Sequence, residues 1–187
     1  MNVETQFART ADGTHVAYQV TGRGPLDIVF MRGWVADIET EWDEPVLARM
    51  LRRMQSMGRL IRLDRRGMGL SDRIAIHGPP TLEDRMDDIR AVMDAVDSRR
   101  ALFIALGHGS DLAALFAAMH PERTLGLALY HPFARSVSSP DYPWPPPDDA
   151  WAESIERLRR DWGTREYAKR WAERSAPSRA GDDRFIE

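Results

Sequence analysis

The chain has 187 residues, of which 43% are hydrophobic and 29% charged. That composition describes a folded protein of one domain, or one domain with a smaller attachment, and excludes wholesale disorder. A formal charge of −3 supplies no general attraction to nucleic acid, and the absence of cysteine excludes disulfides, thiolate zinc sites and cysteine nucleophiles. Met1–Arg9 lacks the apolar run of a secretory signal, and no stretch reaches membrane-spanning length; a soluble, cytoplasmic protein is the expectation. The only lysine, Lys169, follows no glycine-rich turn, which excludes a P-loop.

In chain order, Thr5–Arg9 and His15–Thr21 flank Ala11-Asp12-Gly13 and predict a β-hairpin. Asp27–Met31 predicts a short apolar strand ending at Arg32-Gly33-Trp34. Glu44–Met57, with Leu47, Met50, Leu51 and Met54 at helical spacing, predicts a helix closed by Gly58. Arg59–Leu63 is the next strand, followed by Asp64-Arg65-Arg66-Gly67-Met68-Gly69. Thr81 and Asp84 form a capping-box pattern ahead of Leu82, Met86, Ile89, Met93 and Val96, one apolar stripe on a helix. Ala101–Leu106 reads as a strand buried on both faces, broken by Gly107-His108-Gly109. An alanine-rich helix over Leu112–His120 and an apolar strand over Leu125–Tyr130 follow.

Strands alternating with helices predict an α/β fold: three layers, a mostly parallel sheet, an N-terminal antiparallel hairpin and a helical, cap-like end. Residues 1–135 form the expected core and residues 136–150 a Pro-rich linker, because Pro140–Pro147 favours an extended path. Residues 151–187 complete the chain as a helical cap-like segment and a polar, frayed tail. Trp151, Ile155, Leu158 and Trp162 lie on one face of the first helix there; Tyr167 and Trp171 suggest a second.

The order of elements, the Asp64-Arg65-Arg66-Gly67-Met68-Gly69-Leu70-Ser71 turn, the Ala101–His120 strand–turn–helix and the His120-Pro121-Glu122-Arg123 segment resemble the α/β-hydrolase family. More narrowly, they resemble actinobacterial hydrolase domains sometimes found upstream of nucleotide cyclases. The resemblance covers nearly the whole chain and implies a serine hydrolase, C-terminally incomplete. It places the family's nucleophile elbow at Ala105-Leu106-Gly107-His108-Gly109, with Gly107 at the nucleophile position. Glycine has no side chain, so no acyl-enzyme forms there. A register shifted onto Ser110 is the alternative, disfavoured because His108 and Leu112 then occupy positions that need small residues. The family also supplies an acid and a histidine later in the chain, and no histidine follows His131. The oxyanion hole is expected from the backbone of Trp34 and His108.

The remaining motifs are weak. Asp72 stands where a dinucleotide fingerprint has its third glycine after Gly67 and Gly69, so no cofactor is expected. Glu83, Asp84, Asp87 and Asp88 read as a solvated helix face rather than a metal site. The leading functional expectation is a catalytically silent hydrolase-like protein with a binding or interaction role, its ligand small and hydrophobic. The alternatives are an ester or lipid hydrolase that is completed by another chain or uses a nonstandard nucleophile, and an oligomerisation module. Self-association through Trp151, Ile155, Leu158 and Trp162 is the expected partnership, with neither nucleic acid nor membrane as partner.

Overall fold

A computed structural model describes residues 3–33, 37–74 and 78–186. The chain divides into two units, Met1–Phe133 and Ala134–Glu187. In the first unit, β1 (Gln6–Arg9) and β2 (His15–Thr21) form the expected antiparallel hairpin. β3 (Asp27–Met31), β4 (Arg59–Leu63), β5 (Ala101–Leu106) and β6 (Thr124–Tyr130) run parallel to one another. The six-stranded sheet has the order β1-β2-β4-β3-β5-β6.

Alternation along each strand builds the layers. Val29 and Met31 of β3, Ile61 and Leu63 of β4, and Phe103 and Ala105 of β5 face α2 (Leu82–Ala95) and α3 (His108–Met119). Ile28, Phe30 and Leu60 face the other way, onto Leu51 and Met54 of α1 (Pro45–Gln55). α1 starts where the Glu44 side chain accepts from Leu47 N (2.7 Å). Thr81 and Asp84 cap α2 reciprocally, as their spacing predicts.

Four expectations about this unit need correction. Leu82 is 56% exposed: it opens the first turn of α2, and the buried face is Met86, Ile89, Val92, Met93 and Val96. β5 is not buried on both faces; Ala101, Phe103 and Ala105 are buried, whereas Leu102, Ile104 and Leu106 are half-buried. α3 starts at His108 rather than Leu112, directly off the turn at Gly107. Asp88 is not solvated but wholly buried, where its carboxylate accepts from Arg66 Nε (2.8 Å) and Arg66 N (3.1 Å).

In the second unit, Ser139 and Tyr142 pair across a tight turn, and Ser138 N donates to Pro146 O (3.0 Å). The Pro-rich stretch therefore belongs with this unit and is folded back on itself. α4 spans Asp148–Asp161, and Trp151, Ile155 and Leu158 lie half-buried on it. Trp162 is not part of that stripe: it is the residue after the helix, in extended backbone, with its ring 5.6 Å from that of Tyr167. α5 (Arg165–Ser175) carries Tyr167 and Trp171. The tail carries further helical turns. A single turn at Pro177–Arg179 and the short α6 (Asp183–Ile186) bring Phe185 to Trp171, and the Arg179 guanidinium lies 4.5 Å from the Phe185 ring centre.

Candidate active-site turn at Gly107

The candidate site forms where β5 ends and α3 begins. Gly107 sits at φ +54°, ψ −127°, a backbone conformation that residues with a side chain adopt only under strain. Two close approaches hold the turn. A Cβ on Gly109 would stand 2.6 Å from Met31 O, and a Cβ on Gly33 would stand 3.2 Å from Leu106 O and 3.3 Å from His108 N. Gly109 therefore needs glycine, while at Gly33 a side chain would be tight against the turn. A Cβ on Gly107 would meet nothing within 4 Å, so the nucleophile position faces open space.

Ser110 is not at the apex. It is fully buried in the first turn of α3, its hydroxyl donating to Ala105 O (2.9 Å) with Tyr130 O at 3.2 Å. This hydroxyl ties α3 to β5 and β6. Trp34 lies outside the described residues, as does His77.

His108 heads α3 with its side chain partly exposed. Nδ1 is 3.6 Å from Asp111 Oδ2, and the ring meets Phe133 edge-on at 4.6 Å. Asp111 also accepts from Phe133 N (3.3 Å), which fixes the end of the first unit against α3. Partial burial pushes the His108 imidazole below its ordinary pKa and outweighs the attraction of Asp111; Arg65 and Arg85 act in the same sense as burial. Burial likewise raises the Asp111 carboxyl. Arg65 comes from the Asp64–Ser71 turn, its guanidinium donating to Gly33 O (2.8 Å) and touching Met68 Sδ. Burial, and then repulsion from Arg85, lower it to about 10.

The other histidines play different parts. His131 follows β6 at φ +56°, its ring 6.5 Å from that of Phe133, and so borders the site. His15 meets Asp72 at 3.0 Å, and His120 stacks on Phe116 near Glu122. The site thus gathers Gly107, His108, Asp111, Phe133, Arg65 and, through Phe133, His131. Asp111 and Arg65 were passed over in sequence because each lies within a segment explained by other duties. Spacing on α3 was the available signal for Asp111, three residues beyond His108. Among the described residues no group of three or more acids and histidines converges as a metal site.

The Asp64 turn supports this arrangement from beneath. Asp64 is wholly buried and accepts from Ile38 N (3.1 Å) and Leu70 N (3.0 Å). Burial raises its pKa to about 6. Ser71 donates to Asp64 O and accepts from Ala17 N (2.8 Å), joining the turn to β2.

No family model matches the sequence. No curated protein matches it either. Solved structures do resemble it. An esterase from Exiguobacterium antarcticum superposes with a TM-score of 0.73 at 21% identity, over 91% of this chain and 60% of the esterase. A hydrolase from Pseudomonas aeruginosa gives 0.68 at 24% identity, over 98% of this chain and 65% of that one. The bottromycin epimerase BotH, solved with bottromycin bound, gives 0.71 at 22% identity, over 93% of this chain and 64% of the epimerase. The chain therefore spans less than two thirds of the length of these neighbours. Among the described residues no helix is long and apolar enough to cross a membrane. The parallel sheet, the strand–turn–helix at Gly107 and these superpositions agree: the fold of this chain is that of the α/β-hydrolases.

Proposed function

We propose that this chain is a hydrolase-fold binding protein that forms no acyl-enzyme and receives a small ligand with an apolar body and a carbonyl or carboxylate oxygen at the Gly107 turn. The observation that carries the reading is Gly107 itself. It keeps the elbow backbone while offering no nucleophile, and the nearest hydroxyl on α3, that of Ser110, is buried and engaged by backbone carbonyls. The start of α3 and the Arg65 guanidinium favour an oxygen ligand electrostatically, and Phe133 offers apolar contact. The BotH neighbour supports the principle that this fold is not tied to one chemistry.

The test is a fluorophosphonate probe and a panel of p-nitrophenyl esters, alongside a butyrate titration followed by NMR at the Gly107 and His108 amides. Absence of label and turnover, with saturable shifts at those two amides, is the expected result. Covalent label on Ser110, with turnover lost in Ser110→Ala, would overturn it.

One observation favours a second reading, a hydrolase that uses no covalent step. His108 stands near the Asp111 carboxylate, and partial burial disfavours its charged form, which favours a ring that accepts a proton from an attacking water. Slow ester turnover abolished by His108→Ala, without covalent label, would select this reading over the first.

A further inference from the structure

Arg65 and Arg66 are neighbours in the turn after β4, and they are used differently. Arg66 is ion-paired to Asp12 and to Asp88, each at 2.8 Å. Arg65 is half-buried and has no acid of its own. One of its nitrogens, Nη2, donates to Gly33 O (2.8 Å) and touches Met68 Sδ (3.4 Å). Among the described residues nothing accepts from Nε or Nη1. A guanidinium stays charged and presents its donors in one plane, so unused donors suit an oxyanion.

The position of this group is set by its bond to Gly33. Gly33 packs so closely on the Gly107 turn that a Cβ on it would stand 3.3 Å from His108 N. The guanidinium therefore stands beside the turn, where a side chain at Gly107 would meet nothing within 4 Å.

The charges around Arg65 do not cancel. Those acting on it are Arg85 of α2, Asp88 and Asp111. Asp88 is taken by Arg66, and Asp111 accepts from Phe133 N (3.3 Å) with His108 Nδ1 at 3.6 Å. Arg85 makes no ion pair among the described residues. Two guanidinium groups against the one remaining carboxylate leave positive charge in excess, where burial makes like charges costly to one another. A neutral carbonyl leaves that repulsion in place. A carboxylate relieves it, and its two oxygens match one edge of a guanidinium. A dianion would bring a second negative charge toward Asp111, so the balance suits a monoanion.

We propose that Arg65, supported by Arg85, makes the Gly107 site selective for a carboxylate monoanion over a neutral carbonyl of the same shape. This specificity rests on the binding role proposed for Gly107 above and adds to it the charge of the ligand.

The experiment compares butyrate with butyramide, which has the same shape and no charge, by NMR titration of the 187-residue chain at neutral pH. The Gly107 and His108 amides report binding, at low and at high sodium chloride. The expected result is that butyrate binds about tenfold more tightly than butyramide, and that salt weakens butyrate alone. Arg65→Gln removes the preference and leaves butyramide unchanged. Arg85→Gln weakens butyrate by about threefold, the scale of a partly screened charge. Arg90→Gln, at an exposed position on α2, changes neither ligand. The wild-type comparison and Arg85→Gln keep the test valid if Arg65→Gln fails to fold. Equal affinities for the two ligands overturn the proposal and leave the binding role of Gly107 standing. So does a preference that survives in Arg65→Gln, and so does inorganic phosphate that binds more tightly than butyrate. If neither butyrate nor butyramide shifts the two amides, the binding role falls and this specificity falls with it.

Discussion

Gly107 and Gly109 are two residues apart and restrict substitution for different reasons. At Gly107 the obstacle is conformation alone, since the space for a side chain is open. Gly107→Ser is expected to cost about 1–3 kcal/mol, seen as a lower thermal midpoint. At Gly109 the obstacle is the backbone of β3, which cannot yield to a Cβ at 2.6 Å. Gly109→Ala is expected to cost about 3 kcal/mol, at the upper end for overpacking, by denaturant titration. Asp64 shows a third kind of constraint. Its folded pKa of about 6 lies above the ordinary 3.8. Between those values the folded chain binds more protons than the unfolded chain, so this group adds stability as pH falls from 6 toward 4 and opposes folding above 6. In Asp64→Asn that contribution should vanish. Subtracting the two stability profiles isolates it, and identical profiles would show that Asp64 carries no such shift.

At the level of elements, the first turn of α2 rests on the Thr81–Asp84 box, and Thr81→Ala is expected to lower stability by about 1 kcal/mol in urea titration. That box, the ends of β3, β4 and β5, and the hairpin were legible because each depends on neighbours a few residues away. What was not legible depends on distant chain. Leu82 fits the apolar spacing of α2 yet lies outside its buried face, and Asp88 looks solvated until Arg66 is brought to it. The site divides in the same way. The turn at Gly107 was visible in order and spacing, whereas Arg65 reaches it only because the β4 turn folds beside β3 and donates to Gly33. Trp162 fits the helical spacing and still leaves the helix, because Gly163, at φ +77°, and the Thr164 cap of α5 redirect the chain there.

Across the whole molecule, the sheet order has a consequence for how the chain reaches its native state. β4 lies between β2 and β3, so the hairpin formed first in sequence has no permanent neighbour until a strand made much later arrives beside it. The hairpin is local and cheap to close, but its apolar side chains Ala8, Val16 and Tyr18 gain their cover only with α2. β3, α1 and β4, by contrast, form one crossover unit with its own apolar contacts. Refolding is therefore expected on the millisecond-to-second scale typical of non-local sheets. In pulse-labelled hydrogen exchange, amides of β3 and β4 should gain protection before those of β1 and β2. A hairpin protected first would mean that its closure, and not the crossover, nucleates the sheet. On this expectation chain order and assembly order part ways: the hairpin precedes β3 and β4 in the chain and settles after them.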